Sequence, residues 1–162
     1  MDNAGGKAGG IALAGNFLYV MEQSRIRRVD ITTGEVVSLT QGGSFFFDFT
    51  KPTDVAYSQQ MLYITDEQQG VIYKVELDAD TSVTAVVSFE VLAGTKDSLI
   101  IKVCSAMARA YAGYNICFSQ MCEQDGIQAK ATFAKPTYLS LIGENLYVSD
   151  VRFNFCHASF CS

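Results

Sequence analysis

Three carboxylates close the same short phrase. Leu18-Tyr19-Val20-Met21-Glu22, Leu62-Tyr63-Ile64-Thr65-Asp66 and Leu146-Tyr147-Val148-Ser149-Asp150 are each an apolar, strand-forming run that ends in an acid. Three carboxylates gathered on one rim could hold a hard cation such as calcium. A carboxylate in the tight turn after a strand instead accepts backbone N–H groups, and a residue that recurs with a repeat is more often part of its frame. The frame reading is the expectation for Glu22, Asp66 and Asp150. No cofactor motif is present and no cofactor is expected, with calcium on these three acids as the one alternative.

Cys104, Cys117, Cys122, Cys156 and Cys161 are the only cysteines, all in the second half of the chain. The last four form two pairs with four intervening residues each, at the edge of zinc-knuckle spacing. The lone His157 adjoins Cys156 rather than completing a ligand set, so disulfides or buried thiols are expected ahead of zinc. Paired cysteines would place the protein in a secreted or lumenal compartment, and unpaired ones in the cytoplasm. No nucleophile stands at a usable spacing from a base. Gly5-Gly6 and Gly9-Gly10 are not a phosphate loop, since no strand precedes them and no helix follows.

Asp and Glu outnumber Lys and Arg by 17 to 12, a formal charge of −5. That balance repels a phosphate backbone, so no nucleic-acid partner is expected without a local basic patch. Arg25, Arg27 and Arg28 are the only candidate patch, and a solvated strand edge accounts for them better. No apolar run approaches the ~20 residues of a membrane span. Met1 to Lys7 lacks an apolar signal core, which in a complete precursor would mean the cytosol.

These residues must be positioned by strands. Gly- and Ala-rich residues 1–9 read as a flexible entry. Ile11-Ala12-Leu13, a Gly15-Asn16 turn, Phe17 to Met21, the alternating Arg25 to Ile31, a turn at Thr32-Thr33-Gly34 and Glu35 to Leu39 make four short antiparallel strands in a first unit, 10–43. A second unit, 44–94, repeats the plan after Pro52: Thr53 to Tyr57, a Ser58-Gln59-Gln60 turn, Met61 to Thr65, Val71 to Leu77, and Thr84 to Leu92. Between the two lies Ser44-Phe45-Phe46-Phe47-Asp48-Phe49, whose aromatics are expected to bury one unit on the next. A third unit, 125–162, gives Thr137 to Leu141 and Leu146 to Ser149 after Pro136, and then loses the pattern. Leu18 and Leu62 are 44 residues apart, and Leu62 and Leu146 are 84 apart. The longer gap is read as an insertion at 95–124. Its Ile100, Val103, Cys104, Met107 and Tyr111 fit a helix face between Asp97 and Gly113, while Leu99 to Val103 would equally make a strand.

Units of about 42 residues with Pro-x-x-apolar-apolar, Leu-Tyr-Val-x-Asp and an Ile-x-basic-apolar-Asp strand resemble the NHL repeat. Thr65 to Glu76, Arg25 to Asp30, Val91-Leu92-Ala93-Gly94 and Asp125-Gly126 leading to Pro136 carry the resemblance. It departs from the family in lacking the Asn-His-Leu triplet, replaced in the second unit by Gln69-Gly70-Val71. The resemblance implies an all-β fold: a β-propeller fragment of four-stranded antiparallel blades around a channel. Propellers have about four to eight blades, and two and a half are recognisable, so further blades or other chains are expected to complete the ring. The implied function is a non-catalytic protein–protein interaction or scaffold module. A metal-dependent lactonase-like or lyase-like enzyme and an RNA-binding NHL domain are the alternatives. The single histidine speaks against the enzyme, and the acidic charge against RNA.

Overall fold

The computed structural model describes residues 8–94, 133–143 and 145–150. The insertion at 95–124 with its helix pattern, all five cysteines, His157 and most of the 1–9 entry lie outside them. The described residues are all-β. β1 (Ala8–Ala14), β2 (Phe17–Glu22), β3 (Arg25–Asp30) and β4 (Val36–Ser38) form one antiparallel sheet in chain order. β5 (Pro52–Ser58), β6 (Met61–Asp66), β7 (Val71–Glu76) and β8 (Ser88–Gly94) form the second. β9 (Pro136–Ile142) and β10 (Asn145–Asp150) pair as a third. None of the described residues forms a helix, and among them no helix is long and apolar enough to cross a membrane.

Local chemistry places the turns. Ala14 opposes Phe17 across a two-residue loop, Gly15-Asn16, and Gly15 has φ +58°. The matching loop between β5 and β6 is Gln59-Gln60, with φ +48° and +64°. Both residues lie in the left-handed region that a tight hairpin demands and that side chains resist. After β3, the Asp30 carboxylate accepts the Thr32 and Thr33 amides at 2.7 and 3.1 Å, and these bonds hold its pKa below the ordinary carboxylate value.

The three sheets stand in series with their first strands side by side. β5 packs on β1, and β9 on β5. This is the arrangement of propeller blades. Leu62, Ile64, Val71 and Val75 are fully enclosed because the second sheet is covered on both faces. Each contributes about 1.5–3 kcal/mol of apolar burial. Tyr19 stacks on Tyr57 of the next blade at 6.0 Å. Toward the outer edge, Thr40 bridges to Ala85, with the Thr40 amide on the Thr84 carbonyl and the Val86 amide on the Thr40 carbonyl, both at 2.8 Å.

Three sequence expectations are corrected. β1 begins at Ala8, so residues 8 and 9 belong to the first blade. A register shift between Ala8 and Ile11 carries Gly9-Gly10, whose composition disguises a strand. Of the Phe cluster, only Phe47 and Phe49 are buried, against Tyr73 and Phe89, while Phe45 and Phe46 stay exposed. The third concerns the arginines. β3 is an internal strand, paired on both sides, so they guard no edge.

The blade connections differ in length. Thirteen residues (39–51) join β4 to β5, and forty-one (95–135) join β8 to β9. The sheets they connect are neighbours in both cases.

Candidate functional site

Asp66 ends β6, enclosed at 0 % exposure. Its Oδ2 accepts the Thr50 amide at 2.6 Å and the Lys51 amide at 3.1 Å. Its Oδ1 accepts the Gln68 and Gln69 amides at 3.1 and 2.9 Å. Four N–H donors thus converge on one carboxylate. Two come from the turn after the strand and two from the loop that enters the blade. Asp150 does the same work on the entry side: its two oxygens accept the Ala134 amide at 2.9 Å and the Lys135 amide at 2.6 Å.

Glu22 does not. The turn after β2 has two residues, Gln23 and Ser24, where the turn after β6 has four, 67–70. No amides equivalent to those of Gln68 and Gln69 exist there, and the longer Glu side chain turns to Arg27, 3.9 Å away. The three acids occupy equivalent places on one rim, yet each serves its own blade. Among the described residues no three His, Cys, Asp or Glu side chains gather as a metal cluster.

The arginines also separate. Arg27 donates to Ser38 Oγ at 2.9 Å, and Arg25 lies over the Phe46 ring at 4.7 Å. Arg28 is buried on the opposite face of β3, donating to the Val83 carbonyl at 3.4 Å and covering the Phe17 ring at 5.1 Å. Burial pushes the neighbouring Tyr19 phenol up, with the Arg28 guanidinium opposing it.

Several residues at this rim carry polar structure that sequence reasoning did not single out. Glu67 bridges Lys51 Nζ at 2.9 Å and Lys135 Nζ at 3.0 Å, joining its own blade to the next. Burial raises the Glu67 carboxyl, and the two ammonium groups overcome this and hold it below the ordinary value. Gln69 Nε2 donates to the Asp48 carbonyl and to Thr50 Oγ1, both at 2.8 Å, while its Oε1 accepts from Tyr73 Oη at 2.7 Å. Asp54 Oδ2 accepts the Leu139 amide at 2.8 Å, across the blade boundary. One signal was available: Lys51-Pro52-Thr53 recurs as Lys135-Pro136-Thr137, 84 residues on, the same interval that separates Asp66 from Asp150.

An accessible apolar feature of this rim is the loop between the first two blades. Gln41 and Ser44 exchange backbone hydrogen bonds at 2.8 and 2.9 Å, and the Phe46 amide donates to Ser44 Oγ at 3.1 Å. The Phe47 amide donates to the Ser24 carbonyl at 2.8 Å, and the Phe47 and Phe49 rings anchor the loop below. Phe45 and Phe46 stand exposed on this fixed base, beside Arg25. No known protein-family model matches the chain, and no curated protein matches it.

Proposed function

We propose that the chain is a non-catalytic protein-interaction module of the NHL propeller type, whose blades hold recognition loops rigid at one rim. The observation that carries this reading is the exposed Phe45-Phe46 pair beside Arg25, on a loop tied down at both ends. Aromatic and arginine side chains supply most of the energy at protein interfaces, and a fixed loop loses little entropy on binding. A partner would offer an apolar pocket with a carboxylate beside it. The insertion at 95–124 is the second partner-specific element of this proposal, because the β8-to-β9 connection is far longer than its counterpart between β4 and β5.

The test is affinity capture with the full chain, comparing wild type with the Phe45→Ser/Phe46→Ser double variant. A specific partner retained by wild type and lost by the variant, with unchanged circular dichroism, is the expected result. Equal capture by both would remove this loop from the reading.

A further inference from the structure

We propose that the chain associates head to tail with a second copy of itself, the outer face of β9–β10 in one copy docking on the outer face of β1–β2 in the next. The blade-to-blade interface inside the chain defines both halves of this contact. In the second blade, Val55, Tyr57, Leu62 and Ile64 form the face that packs on the first blade. Their equivalents 44 residues earlier are Ile11, Leu13, Leu18 and Val20. Val55 is 5 % exposed, whereas Ile11 and Leu13 are 59 % and 62 % exposed. The first blade therefore presents a copy of a face that the fold elsewhere buries.

The complementary half stands at the other end. In the first blade, Ala12 and Tyr19 lie opposite each other on the face that meets the second blade, and Tyr19 stacks there on Tyr57. The third sheet repeats this pair as Ser140 and Tyr147, also directly opposed, and Tyr147 is 54 % exposed. Docked in the same way, Tyr147 of one copy would lie over Leu13 of the next.

A second position supports the same geometry. A side chain at Gly10 would run into the Asp54 carboxylate and come within 2.6 Å of the Val55 amide of the next blade. Asp54, at the equivalent place in the second blade, reaches the Leu139 amide of the third. The residue at this position thus points onto the following blade each time. In the third sheet it is Tyr138, 65 % exposed. In the proposed contact Tyr138 meets the β1 segment of the second copy at Ile11, the first-blade equivalent of Val55 and Leu139. Such an interface joins two different faces, so it propagates to a closed ring or an open filament.

The experiment is sedimentation analysis of the full chain with Leu13→Glu and Tyr147→Glu, each altering one exposed face and each checked by circular dichroism. Wild type is expected to show a mean mass that rises with concentration to at least about twice that of one chain, and each variant alone to stay monomeric. Mixing the two variants should restore a dimer, because each retains the face that the other has lost. Wild type that is monomeric at every concentration, association untouched by either variant, or a mixture that stays monomeric would overturn the proposal. Loss of Phe45 and Phe46 leaves both faces intact, so failure of the loop reading is read out separately.

Discussion

Asp66 takes four amide donors with two oxygens, and removing its charge should show in stability. Asn keeps one acceptor and turns an NH2 group toward N–H donors that then lack partners. Asp66→Asn is expected to cost about 3 kcal/mol in urea unfolding. Asp150→Asn, with two amide donors among the described residues, should cost about 1–2 kcal/mol. A cation would compete with the same amides for the same lone pairs. The thermal midpoint should therefore be equal in calcium and in chelator, and a calcium-dependent rise lost in both Asn variants would reinstate the metal reading. The type of these acids and their recurrence are plain in the sequence, but their partners are not. The amides of Thr50 and Lys51 are 16 and 15 residues away from Asp66, and only the fold brings them within reach. Arg28 teaches the same lesson. Its neighbours Arg25 and Arg27 look identical in a one-dimensional pattern, yet strand alternation sends Arg28 alone to the opposite, buried face.

At the scale of elements, strands were legible wherever apolar and polar residues alternate or wherever a turn residue bounds them. β2, β3, β6 and β7 fall within a residue of their expected limits for that reason. β1 was hidden at its start because Gly9-Gly10 has no side-chain pattern to read. Its cause is visible in three dimensions: a Cβ at Gly10 would overlap Asp54 of the next blade. Gly10→Ala should accordingly lower stability by about 1–3 kcal/mol, since the obstruction includes backbone atoms that cannot step aside. The β5–β6 hairpin offers the opposite change. Gln59 and Gln60 hold positive φ without glycine, and the turn they form prefers Asn-Gly. The double change Gln59→Asn/Gln60→Gly is expected to raise stability by about 1 kcal/mol in the same unfolding assay. Phe45 and Phe46 escaped prediction because hydrophobic type alone does not distinguish a core aromatic from an exposed one, and a Phe run does not reveal which rings face inward.

At the scale of the whole molecule, blades are joined by apolar packing and by a few polar ties, of which Glu67 spans the boundary between the second and third. Lys51 belongs to its own blade and Lys135 to the next, so Glu67 couples the two only while it is ionised. Its pKa in the folded protein lies below the ordinary value of 4.5. For a depressed carboxylate the sign is fixed: the folded state favours the ionised form more than the unfolded chain does. The stabilisation is complete above the unfolded value and is lost as pH falls through the folded one. Wild type should therefore lose stability on acidification below about pH 4.5. Glu67→Gln should be less stable at neutral pH and should show a shallower decline in that acid range, because the variant no longer has this group to protonate. Lys135→Gln should flatten the same limb in part, since Lys51 still faces the carboxylate. Urea midpoints measured from pH 7 to about pH 3 for the three proteins would test this. Parallel acid limbs in wild type and Glu67→Gln would show that the pair of ammonium groups does not couple the blades through this carboxylate.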